Sequence, residues 1–87
     1  MPLARKAEML SYRVHLADYL ALRDIQAQAI DDLMALGAAH GDMRWVASAL
    51  LAQFFLAYRT GRLAQAFVVG RRGAEAAESI DYARAAA

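Results

Sequence analysis

An all-α chain of antiparallel helical hairpins is predicted by three features of these 87 residues. Alanine makes up about a quarter of the chain, and its side chain loses no rotamer freedom in a helix. The single proline stands at position 2 and no glycine occurs before Gly37, so nothing breaks the first third of the chain. Apolar residues recur at steps of three and four, the period of one helix face.

The first helix is expected over about 4–22. Leu10, Val14, Ala17 and Ala21 follow at steps of 4, 3 and 4, and Leu16 and Leu20 widen the stripe. Ile25, Ala29, Leu33 and Leu36 continue the spacing over about 25–39. Arg23-Asp24 separates the two sets, and Asp24 is placed as the N-cap of the second helix, its carboxylate accepting from an orphan amide. No glycine marks this break, so one long helix through both sets is the competing reading. Gly37 and Gly41 weaken the end of the second helix and Asp42 caps the third, which makes Gly41–Arg44 a connector.

The third helix, about 43–59, has Arg44, Ser48, Gln53 and Arg59 as its clearly polar residues. A helix so apolar all round belongs in the middle of a packed assembly. Tyr58-Arg59-Thr60-Gly61 ends it and Arg62-Leu63 opens the next, the layout of a tight hairpin. The fourth helix, about 62–79, carries Leu63, Ala66, Phe67, Gly70, Ala74 and Ala77 on one broad face. Arg71 and Glu75 form an outward i,i+4 pair. Its small residues Ala66, Gly70, Gly73 and Ala77 leave room for a partner helix to pack closely. Ile80–Arg84 reads as a connector followed by a new helix. The domain organisation is one domain of two hairpin units, about 4–42 and 43–80, with 81–87 as the start of a next helix or a tail.

Sliding the second half over the first by 39 residues aligns Tyr19 with Tyr58, Arg23 with Arg62, Gln26 with Gln65 and Asp42 with Asp81. Such a period predicts a repeated hairpin, stacked because one hairpin cannot bury its own apolar surface. Within it, residues 57–66, AYRTGRLAQA, resemble the inter-helix turn of a tetratricopeptide repeat. Gly61 matches the turn glycine, Ala66 the small residue of the second helix, and Tyr58 lies close to the expected aromatic. The resemblance is fuller over 43–79 than over 9–42. The offset exceeds the family period of about 34, the first unit lacks the turn glycine, and no proline follows either second helix. The resemblance implies a non-catalytic module that binds peptides or helices in a concave groove, as in bacterial signalling and regulatory proteins.

A net charge of +1 gives no bulk electrostatic basis for a nucleic acid or an anionic membrane as partner. The absence of cysteine excludes disulfides and thiolate metal sites, and is compatible with a reducing cytoplasm. Glu8, Ser11 and Arg13 interrupt what would be the apolar region of a signal peptide. Trp45–Tyr58 is shorter than the roughly 20 residues a spanning helix needs. A soluble, cytoplasmic protein is expected.

Chemistry-bearing residues are few. His15 and Asp18 share a helix face, His40 and Asp42 flank Gly41, and Ser11 precedes His15 by one turn. None of these supplies the three or four convergent ligands of a metal site or a nucleophile motif, so no cofactor, metal or catalysis is expected. Asp31-Asp32 reads as a solvated face. Arg59, Arg62, Arg71 and Arg72 are the densest basic cluster and a weak candidate for anion binding near a helix start. Phe54 and Phe55 point about 100° apart, so one packed face does not readily hide both. With Trp45, Leu56 and Tyr58 they are the candidates for partner contact. The expected function is a protein-interaction module whose partner is a protein or peptide, a second copy, or the remainder of a longer chain. Alternatives are a small chaperone or assembly subunit of a secretion system and, less favoured because its arginines are spread over several helices, a DNA-binding regulator.

Overall fold

Three turns of one kind set the fold. At each, a residue takes left-handed backbone: Ala21 at φ 57°, Gly41 at 64° and Gly61 at 77°. The following amide then reaches back five residues to close the helix before it, Leu22 N to Ala17 O at 2.8 Å, Asp42 N to Gly37 O at 2.9 Å and Arg62 N to Ala57 O at 2.8 Å. Glycine adopts this conformation without steric cost. Ala21 adopts it with a Cβ, at about 1 kcal/mol, which is how the chain breaks between the first two apolar sets with no glycine there.

The computed structural model describes the backbone of residues 2–86 and the side chains of residues 2 and 4–81. Among the described residues there are four helices: α1 Leu3–Tyr19, α2 Arg23–Ala39, α3 Met43–Arg59 and α4 Leu63–Ala86. The chain is all-α, built of antiparallel hairpins, and the single long helix through both sets does not form. Asp42 caps α3 as expected, its carboxylate accepting from the Arg44 amide at 3.1 Å. Asp24 caps nothing: the α2 N-cap is Leu22, without a side-chain bond, and Asp24 lies in the first turn, where its charge suits the helix dipole. No connector interrupts 80–84. With neither glycine nor proline after Gly73 and several alanines, α4 continues to Ala86.

Helices begin at Leu3, Arg23, Met43 and Leu63, each 20 residues after the last, so the hairpin repeats every 40 residues and not every 39. Matching Tyr19 to Tyr58 slipped the alignment by one. The turns instead equate Tyr19 with Arg59, Asp18 with Tyr58, and the buried Ala17 with Ala57.

The helices form an open row. Each packs on its sequence neighbour, α1 also brushes α3, and among the described residues the α4 backbone makes no close approach to α1 or α2. The result is a slab of 40 × 34 × 18 Å. One core cluster gathers Ala7, Val14, Ala29, Ile30, Leu33 and Ala49 from the first three helices; a second gathers Leu50, Val69 and Ala76 between α3 and α4. Met34 packs against both. Leu16 and Leu20, expected to widen the buried stripe, are exposed, because among the described residues only the side of α1 toward α2 and α3 is covered.

A polar clamp ties the two hairpins. The Asp18 carboxylate of α1 accepts from Arg23 Nη1 of α2 at 2.9 Å and from Arg59 Nη1 of α3, and Arg23 also donates to the buried Gln26 side chain at 2.8 Å. Burial pushes the Asp18 carboxyl up, but the hydrogen bonds from Arg23 and Arg59 together prevail and hold it below the ordinary aspartate range.

Candidate functional site

Small residues on α4 let its backbone approach α3. A Cβ on Gly70 would lie 3.0 Å from the Phe54 ring, and one on Gly73 would lie 3.5 Å from Leu50 Cβ. The helix that packs on Ala66, Gly70 and Gly73 is thus α3 of the same chain, while Ala74 and Ala77 stay exposed beyond the contact. Among the described residues nothing covers the cleft between α3 and α4, which is open as an apolar groove of about 850 Å³. Leu50, Gly70 and Gly73 line its depth and Leu51 and Phe67 its sides, these last two 55% and 70% exposed. Arg44 and Arg71 supply its charge, and Arg71 is held loosely by Glu75 at 3.8 Å.

The five expected partner-contact residues do not form one patch. Trp45 and Leu56 are half-buried against the first core cluster. Phe54 leans over Gly70 toward α4, with its ring edge-on to Phe55 at 5.4 Å and stacked on Tyr58 at 6.3 Å. Phe55 and Tyr58 are exposed. Of the five, Phe54 alone lines the groove. Phe67 and Leu51, absent from that set, are its most exposed large apolar residues. The signal for Phe67 was its place on the broad face of α4, which reads as core, whereas among the described residues nothing covers it.

The arginine cluster is likewise dispersed. Arg59 is engaged by Asp18, Arg71 lies in the groove, and Arg62 borders a separate recess of about 140 Å³ beside Gln53 and Gln65. Arg72 is exposed on α4. Asp18 turns to arginines while His15 is exposed, so the two make no relay. Asp42 is bound by Arg44, whose hydrogen bonds outweigh desolvation and lower its carboxyl pKa. Asp31 and Asp32 are exposed, and Gln28 donates to Asp32 at 2.9 Å. Among the described residues no three His, Cys, Asp or Glu side chains gather as metal ligands.

A second apolar surface lies at the other end of the row. Met9, Tyr12, Leu16 and Tyr19 form a stripe along the outer side of α1 and are 53%, 78%, 61% and 86% exposed. Among the described residues no helix is long and apolar enough to cross a membrane.

Fold and groove together define an open all-α stack of two helical hairpins with an unfilled apolar cleft at one end. Compared with known proteins, the chain matches no protein-family model, no curated protein and no solved structure.

Proposed function

We propose that this chain is a non-catalytic protein-interaction module of the TPR-like type, which binds an apolar helical segment in the groove between α3 and α4. The observation that carries this reading is the groove itself: contiguous apolar surface, with two large side chains exposed on its sides, is what a monomeric soluble protein rarely leaves uncovered. Its length along two helices suits an amphipathic helix laid in a cleft, read by residues at three- and four-residue steps. The repeated hairpin with matching turns supports the family resemblance, although its 40-residue step is longer than the family's. A cytoplasmic, regulatory or scaffolding role belongs to the same proposal. The secretion-chaperone alternative would use the same groove.

Fluorescence anisotropy with a designed amphipathic helical peptide bearing Leu and Phe on one face tests the reading. The wild-type protein is expected to bind it, and Leu51→Arg and Phe67→Lys to weaken binding at least tenfold with unchanged helical content. Binding unaffected by both substitutions, or no binding at all, would overturn it.

A further inference from the structure

We infer that the occupant of the α3–α4 groove is α1 of a second copy of this chain, docked head to tail; this rests on the groove being a binding surface. The argument starts from the 40-residue step. Within one chain, the cleft between α1 and α2 is already filled by α3, whose Ala49 shares a core cluster with Ala7 and Val14 of α1 and Ile30 and Leu33 of α2. Advancing every residue by 40 turns the α1–α2 cleft into the α3–α4 groove. The helix that corresponds to α3 one step back is α1, also 17 residues long. Its exposed Met9, Tyr12 and Leu16 occupy the positions of Ala49, Ala52 and Leu56, which α3 packs against the first hairpin together with Trp45, whose counterpart is Arg5.

Side-chain size is exchanged between the two surfaces in the sense that fit requires. In the filled cleft, α2 offers large residues, Ile30, Leu33 and Met34, and α3 sets small ones, Ala49 and Ala52, between the larger Trp45 and Leu56. In the open groove the α4 counterparts are small, Gly70, Gly73 and Ala74, and the α1 counterparts are large, Met9 and Tyr12. Phe54, in place of Val14, takes back part of the room over Gly70. Close packing demands such compensation, since unfilled volume forfeits contacts.

Polarity is exchanged as well. The internal clamp joins Asp18 to Arg59, with Arg23 and Gln26 beside them. One step on, the corresponding residues are Tyr58 and the neighbour's Tyr19, with Leu63 and Ala66 beside them. Both tyrosines and Leu63 are exposed in the single chain. A polar clamp has become an apolar one whose two halves lie at opposite ends of the row. Because groove and stripe are different surfaces, each docking leaves one of each free, and the contact propagates.

Sedimentation equilibrium on the whole protein tests this with one substitution at each surface: Ala74→Arg in the groove and Leu16→Arg on α1. Both positions are exposed and arginine suits a helix, and circular dichroism confirms the fold. Wild type is expected to grow in mass with concentration past the dimer. Each variant alone stays monomeric, and a 1:1 mixture, which holds one intact groove and one intact stripe, forms a dimer and stops. Tyr12→Lys and Phe67→Lys provide a second pair with the same expected outcome. A wild-type monomer up to about 1 mM, where even weak contacts show, would overturn the inference, as would a mixture that stays monomeric while wild type associates. If the wild-type monomer still binds the amphipathic peptide through the groove, only the self-docking fails; if it binds neither, the groove reading fails with it.

Discussion

Gly37 packs tightly against the start of α3, and replacing it with alanine separates the packing account from simple helix propensity. A Cβ at Gly37 would lie 2.9 Å from the Val46 amide nitrogen, 3.0 Å from Val46 Cγ2 and 3.1 Å from the Asp42 carbonyl oxygen. Two of these three obstacles are backbone, so no rotamer change relieves them. The helices must part by about 0.5 Å to restore ordinary contact, and that shift spreads into Ile30, Leu33 and Ala49. Overpacking of this kind costs about 1–3 kcal/mol. Alanine returns at most about 1 kcal/mol of helix propensity, and less so near the end of α2. Gly37→Ala is therefore expected to destabilise by about 1–2 kcal/mol, a fall of roughly 5–15 °C in Tm for a domain of this size. Gly73→Ala is the control. Its Cβ would meet Leu50 Cβ at 3.5 Å, an ordinary contact, in the middle of α4, so a gain of about 0.5–1 kcal/mol is expected. Urea melts followed by circular dichroism at micromolar concentration measure both. Gly37→Ala as stable as wild type, or Gly73→Ala the more damaging of the two, would refute the reasoning.

Two further outcomes follow from the turns and the clamp. Ala21→Gly relieves a left-handed alanine and is expected to raise stability by about 0.5–1 kcal/mol, read from the urea midpoint. Asp18 has a folded pKa below its unfolded value, so its contribution is fully present above the unfolded aspartate value of about 3.9 and is lost as pH falls through the folded one. Asp18→Asn should cost about 1 kcal/mol at pH 7, a modest figure because both arginines are partly solvated. The gap to wild type should close below pH 4; a gap independent of pH would contradict the clamp.

Helix content was legible because alanine, the lone proline and the apolar spacing all agree, and Gly41 and Gly61 announce their turns. The first turn was harder to read, because Ala21 does what glycine does elsewhere and only tertiary packing can impose that. The 39-residue offset fell one short of the even 20-residue spacing of the helices, because chance identities such as Tyr19 with Tyr58 outweighed the alanines at equivalent turn positions. The Asp18–Arg59 contact, 41 residues apart, leaves no local pattern in the sequence. At the site, the small residues of α4 were legible as a close-approach surface. Which apolar residues stay uncovered depends on where the row of helices ends, and periodicity does not carry that. Phe67 and Leu51 on one side, and Leu16 on the other, were therefore read as core or passed over.

The docking of α1 into the α3–α4 groove is tested most directly through Tyr19 and Tyr58, which the 40-residue step places together across the contact. The chain has no cysteine, so Tyr19→Cys and Tyr58→Cys each carry a single thiol. Mixed and treated with a short bismaleimide, they should yield the crossed dimer, with little of either like-with-like product when each is treated alone. Like-with-like dimers in equal yield, or no cross-link at concentrations where the protein associates, would contradict the head-to-tail arrangement.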